Sequence, residues 1–177
     1  MIDNQPTPKD YQHIKEKIID YLSRQGFSEK KLLQKVTDLK RHYHTTRRYD
    51  FYTSEHVQKV LDELKAVGLV DDEKFARDIL RFLQGRKDGL YRIKDKMRRR
   101  LIPTEIINKV LGEWKRSGAV QDYAAIVRET KRKHVRLKEK YPSPKKQYEV
   151  KGKLYAFLGQ KGYGAEEIKE ILRQSME

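Results

Sequence analysis

Apolar side chains recur every three or four positions along this chain, in stretches separated by glycine, proline and capping residues, which is the spacing of amphipathic helices. Tyr11, Ile14, Ile18 and Tyr21/Leu22 mark a first helical face. Thr7-Pro8-Lys9-Asp10 announces its start, with a threonine N-cap, proline at the first helical position and a carboxylate at the third. Gly26 stands as its C′ residue, and Ser28 caps a second helix striped by Leu32, Val36, Leu39 and Tyr43. Thr53 or Ser54 opens a third, with Val57, Val60/Leu61 and Leu64, ending near Gly68. Asp71-Asp72 reads as the N-cap of a fourth carrying Phe75, Ile79 and Phe82/Leu83, rather than as a paired-carboxylate site. Gly89 precedes a fifth with Ile93 and Met97, and a sixth bears Ile107, Val110/Leu111 and Trp114, whose default role is core packing. A long basic helix follows over about 122–140, stopped by Pro142 and Pro144, and two more lie around 148–161 and 165–174. No run of alternating β-branched residues predicts a strand, so the fold class is all-α.

The chain also resembles itself. At an offset of 50 positions, residues 54–72 align with 104–122 without a gap, and nine of the nineteen pairs are identical, including Val60/Val110, Leu61/Leu111 and Gly68/Gly118. About one identity is expected from average residue usage. A second echo relates Leu22, Gly26, Phe27, Leu32 and Val36 to Met97, Leu101, Ile102, Ile107 and Leu111, and to Leu158, Gly162, Tyr163, Ile168 and Leu172. Three tandem three-helix repeats fit, over 1–70 (with an Arg/Tyr-rich loop), 71–118 and 119–177. Units that cannot bury their stripes alone stack on their neighbours, which predicts an elongated, right- or left-curved array. A monomer is expected, because stacking is satisfied within one chain and like charges repel.

Charge sharpens this picture. The 177 residues hold 41 Lys+Arg against 26 Asp+Glu, a formal net charge of +15 that favours polyanionic partners, nucleic acid or anionic membrane surface. No stretch has the roughly 18 consecutive apolar residues of a membrane span, and Met1 is followed by polar residues, so a soluble, cytoplasmic protein is expected. The positive charge is patterned. Residues 40–49 contribute +4 through Lys40, Arg41, Arg47 and Arg48, and residues 86–102 contribute +6, chiefly through Arg92, Lys94, Lys96, Arg98, Arg99 and Arg100. Residues 128–146 contribute +7, with Arg128, Lys131, Arg132, Lys133 and Arg136 at the head of the run. Each run by itself is as readily a solvated helix face as a contact surface, but three runs at matching places in the repeats suggest a track for phosphates or for an acidic groove. Tyr43, Tyr49, Phe51 and Tyr52 interleave with the first run, where tyrosines either stack on exposed bases or pack on the neighbouring helix.

Catalytic chemistry finds little support. The absence of cysteine removes disulfides, thiolate metal sites and thiol nucleophiles. The acids lie mostly at helix starts or in i,i+4 pairs with Lys or Arg, His42-x-His44 has no nearby third ligand, and Gly159-x-x-Gly162-x-Gly164 matches no phosphate-binding fingerprint. A non-enzymatic protein without cofactor or metal is expected.

The segment 68–76 (GLVDDEKFA), followed by Lys87-Asp88-Gly89, Arg92-Ile93 and Met97-Arg98-Arg99-Arg100-Leu101-Ile102, closely resembles the central repeat of the RecX family. Residues 24–32 (RQGFSEKKL) resemble the family's first repeat, and 158–163 (LGQKGY) with Ile168 resemble its last. The resemblance implies tandem three-helix repeats. It also implies a modulator lying in the groove of the RecA–DNA filament, bridging protomers and suppressing ATP hydrolysis and strand exchange, with a place in DNA repair, homologous recombination and the SOS response. This chain departs from the family pattern where Leu101 replaces the usual glycine, Pro103 stands where Ser28 caps the first repeat, Gln121 replaces the first Asp of the pair, and the loop 41–53 is long. A plain nucleic-acid-binding helical array is the alternative that the basic runs alone would satisfy.

Overall fold

A computed structural model describes residues 6–117, 123–143 and 147–176, and among these the chain is helical, with no strand. The helices are α1 (Pro8–Arg24), α2 (Glu29–His42), α3 (Ser54–Ala66), α4 (Asp72–Gly85), α5 (Leu90–Arg99), α6 (Thr104–Arg116), α7 (Ala124–Lys140), α8 (Gln147–Lys161) and α9 (Ala165–Met176), with a single 3₁₀ turn at Arg47–Tyr49. The helices lie where the stripes and caps place them. Gly118, Gln121 and Pro144, and the end of the basic run 128–146, lie partly or wholly outside the described residues, which omit 118–122 and 144–146.

Local chemistry sets the first four helix starts. The Asp10 carboxylate accepts from both the backbone N–H and the hydroxyl of Thr7, at 2.7 and 2.6 Å. Ser28 accepts from Lys31 N–H, Thr53 from His56 N–H and Asp71 from Lys74 N–H, each satisfying a first-turn donor that the helix leaves open. Thr53, rather than Ser54, is therefore the cap of α3. Gly68 closes α3 at φ +72°, the left-handed conformation of a helix C′ residue. Gly26 departs from its expected role. Its φ is not positive, and its value lies in having no side chain: a Cβ there would meet the Phe75 ring at 2.7 Å.

The chain forms two compact units, one of residues 1–77 and 98–110, the other of 78–97 and 111–177. In the first, α1, α2 and α3 pack on one another around Ile14, Ile18, Leu32, Val36, Val57, Val60, Leu61 and Leu64, with Tyr52 buried beside them. In the second, α7, α8 and α9 pack on one another around Ile126, Val150, Leu154, Leu158, Ile168, Ile171 and Leu172. Ile107, Val110 and Leu111 of α6 are buried, while Trp114 is half-buried. Tyr43 is not on the buried stripe of α2: it is the C-cap and is 51% exposed. At Leu101 the backbone keeps φ +58°, the glycine-like conformation, with a leucine in place.

Candidate nucleic-acid interface

In the first unit the basic residues fall into two groups at opposite ends of α2. Lys40 and Arg41 occupy its last turn, where positive charge complements the helix dipole, and Arg47 and Arg48 lie in the 3₁₀ turn beyond. The Lys40 ammonium donates to the Asp50 carbonyl at 2.8 Å, which ties the loop to the helix, and Arg41 pairs within α2 with Asp38 at 3.2 Å. Residues 40–48 are all exposed. Arg98, Arg99 and Arg100 are also exposed, at the end of α5 and just beyond. The Arg100 carbonyl accepts from the Ser28 hydroxyl at 2.5 Å, which holds this segment against the first turn of α2. The helix has 14 residues, so the two groups are about 20 Å apart.

In the second unit the structure joins parts of two runs that are distant in sequence. Glu129 on α7 lies 3.3 Å from both Lys87 and Lys161. Burial raises its carboxyl, but the hydrogen bonds from Lys161 and Lys87 outweigh that and hold it below the usual carboxylate range. Buried Asp88 lies 2.6 Å from Lys96 and 3.5 Å from Arg92, and Arg92 also donates to the Gln160 carbonyl at 3.1 Å. Arg92 and Lys96 are thus partly committed to holding the unit together. Lys94 is half-buried. Glu129 did not stand out in the sequence, because its lysine partners are 42 and 32 positions away.

The long helix displays the most open positive surface. Arg128, Arg132 and Arg136 follow at i, i+4 and i+8 and so share one face; Lys131 lies beside them, and all four are exposed. That face is turned away from Ile126 and Thr130, which are buried. Lys133 is different: it is half-buried, with its ammonium 4.5 Å from the Phe157 ring centre. His134 is held below its ordinary value by burial and then by Lys138, so it adds no charge to this surface near neutral pH. Among the described residues no three His, Cys, Asp or Glu side chains cluster as a metal site would need, and no helix is long and apolar enough to cross a membrane.

Fold and surface together define an all-helical, strongly basic protein that displays arginines on helix faces. No family model matches the chain. Over 123 residues it is 27% identical to a "Regulatory protein RecX" of Pelodictyon phaeoclathratiforme, covering 69% of this chain and 70% of that one. A "Regulatory protein RecX" of Prosthecochloris aestuarii is 31% identical over 64 residues, covering 36% and 42%. The crystal structure of RecX from Lactobacillus salivarius superposes with a TM-score of 0.71 at 17% identity, covering 96% of this chain and 99% of that one. A second, described as a crystal structure of regulatory protein RecX, gives 0.67 at 18% identity, covering 98% and 82%. The chain is thus similar over about 70% of its length to regulatory proteins named RecX, and it shares their fold.

Proposed function

We propose that this protein binds the RecA–DNA filament and inhibits the recombinase's ATP hydrolysis and strand exchange, acting as a monomer in the cytoplasm without catalysing a reaction itself. Its place is then the control of DNA repair and recombination. The observation that carries this reading, beyond kinship, is the exposed arginine row of α7, Arg128, Arg132 and Arg136, beside which Glu129 is already occupied by two lysines. A row of guanidinium groups carried on Cβ atoms about 5–6 Å apart suits phosphates or acidic side chains lining a groove, since guanidinium pairs both bidentately. Arg98–Arg100 and the 40–48 segment offer further contacts with the same partner.

The test replaces Arg128, Arg132 and Arg136 together by Glu. Filament ATPase inhibition and binding to bare single-stranded DNA are measured at the same salt. The expected result is loss of inhibition by roughly 10-fold or more, with a smaller loss on bare DNA, because filament contacts are made by several patches at once. Equal losses in both assays favour a plain nucleic-acid-binding array, and unchanged inhibition moves the contact surface off α7.

A further inference from the structure

The filament reading leaves one feature unused, the tyrosine ladder of the loop after α2. Tyr52 is buried in the first unit's core, Tyr49 packs edge-on against it with ring centres 5.0 Å apart, and Tyr43 stacks on Tyr49 at 5.2 Å with planes 28° apart. The ladder therefore runs outward from the core to a ring that is 51% exposed. Core packing accounts for Tyr52 and Tyr49. It does not account for Tyr43, whose half-open ring is held flat by its neighbour inside a segment, 40–48, with no other residue buried or half-buried. Lys40, Arg41, Arg47 and Arg48 flank it in the sequence, and no acid lies between residues 39 and 49. Tyr49 also lines a cleft of ≈ 240 Å³ bounded by Tyr52, Arg48, His13, Lys17 and the acids Glu16 and Asp20. Asp20 is already paired with Lys17 and Arg24, whereas Glu16, which accepts from Gln12 on one oxygen, can also accept from the amino groups or ring N–H of a nucleobase.

We infer that the segment 41–52 is a binding site for single-stranded nucleic acid, with one unpaired base stacked on the outer side of Tyr43, phosphates on Arg47 and Arg48, and a neighbouring base reaching the cleft beside Tyr49. Duplex is excluded from the stacking contact, because its bases already stack on each other and only an unpaired base has a free face. A ring fixed by a second ring loses little rotational freedom on binding, so the contact is preorganised. This site does not rest on the filament reading and lies in the other unit from the α7 row.

The experiment measures binding of the full chain to oligothymidine, to a strand of equal length with abasic positions, and to duplex. Tyr43→Ala is expected to weaken oligothymidine binding about 5- to 150-fold, the range for loss of one base–aromatic stack, with little change on the abasic strand and on duplex. Tyr43→Phe should bind as the original, and the slope of affinity against salt should stay unchanged, because no phosphate contact is lost. An undiminished affinity for oligothymidine, or equal losses on intact and abasic strands, overturns the inference. Circular dichroism checks that Tyr43→Ala is folded. Should it not be, Tyr43→Trp provides the reading: its fluorescence must be quenched by oligothymidine and not by the abasic strand, with Trp114 in the unsubstituted chain as reference. Absence of that quench, or displacement of oligothymidine by polyglutamate as readily as by abasic strand, marks the loop as a simple cationic patch and overturns the stacking site. The Arg128/Arg132/Arg136 variant should keep the Tyr43 effect whole, so failure of either proposal is visible without the other.

Discussion

Glu129 gathers two lysines that are 42 and 32 positions away, and Asp72 donates nothing to its own neighbours but accepts the Glu29 N–H at 2.8 Å, so that a residue at the start of α4 caps α2. These two carboxylates respond to acid in opposite ways. The folded Glu129 carboxyl lies below its ordinary 4.5, so its pairs contribute stability that is fully present above that value and is lost as pH falls through the lower folded value. Glu129→Gln is expected to destabilise the protein by about 1 kcal/mol near pH 7, a figure already discounted for partial exposure, and the difference should shrink as pH falls below 4.5 through the lowered folded value. Urea unfolding of both proteins across that range checks it; a pH-independent difference would assign the effect to packing. For Asp72, burial raises the carboxyl, so this group by itself makes the fold less stable as pH rises through the raised value.

At the scale of elements, the start of α5 meets the end of α8 backbone to backbone. Gly89 N–H donates to the Lys161 carbonyl at 2.8 Å and Tyr91 N–H to the Gly162 carbonyl at 3.1 Å, so the open donors of one helix start meet the open acceptors of another helix end. Neither position tolerates a side chain. A Cβ on Gly89 would lie 2.3 Å from the Gly162 oxygen, and one on Gly162, which also has φ +87°, would lie 2.4 Å from Arg92. Gly89→Ala and Gly162→Ala are each expected to cost about 3 kcal/mol or more, because the obstructing atoms include backbone. Gly68→Ala, at φ +72° with open space around it, should cost only about 1 kcal/mol. Denaturant midpoints of the three variants test the ordering, and equal costs would show that backbone conformation alone matters.

What could be read from the sequence follows the same division. Stripes such as Ile14/Ile18 and Leu32/Val36, and caps such as Ser28, Thr53 and Asp71, depend on residues within one or two turns, so spacing reveals them. The Asp72 cap on α2, the Ser28 link to Arg100 and the Gly89–Gly162 joint depend on partners far along the chain, and no local pattern encodes them. Gly26 shows how one residue type misleads: the same amino acid serves backbone conformation at Gly68 and close packing here. On the surface, the sequence found the basic residues but not which were committed. Lys96 and Lys133 looked like their neighbours, and their engagement with Asp88 and Phe157 appears only once the helices are packed.

Across the whole molecule, each unit is built from two separated stretches, and the chain crosses between them within α4, α5 and α6. A fragment of residues 1–110 contains everything assigned to the first unit and is expected to unfold cooperatively in urea. A fragment of 1–77 lacks the Ser28–Arg100 hydrogen bond and the Lys109–Glu73 pair, and should be less stable by about 2 kcal/mol or more. Equal stability of the two fragments would mean that 98–110 is a passenger. Cutting before residue 141 removes α8 and α9, and with them Leu154, Leu158, Ile168 and Ile171 from the second core, so such a truncation cannot isolate the function of the last helices.

The hydroxyl of Ser28 has a consequence for timing during synthesis. Its acceptor is the carbonyl of residue 100, so α2 leaves the ribosome with that partner still unmade, and the first unit is not complete until residue 110 has been added. At about 5–20 residues per second, some two to seven seconds separate the appearance of residue 77 from that of residue 110. During this interval the nascent N-terminal helices already present Lys40, Arg47 and Tyr43, so the newborn chain carries its positive charge beside a ribosome made largely of anionic RNA before its first unit has closed.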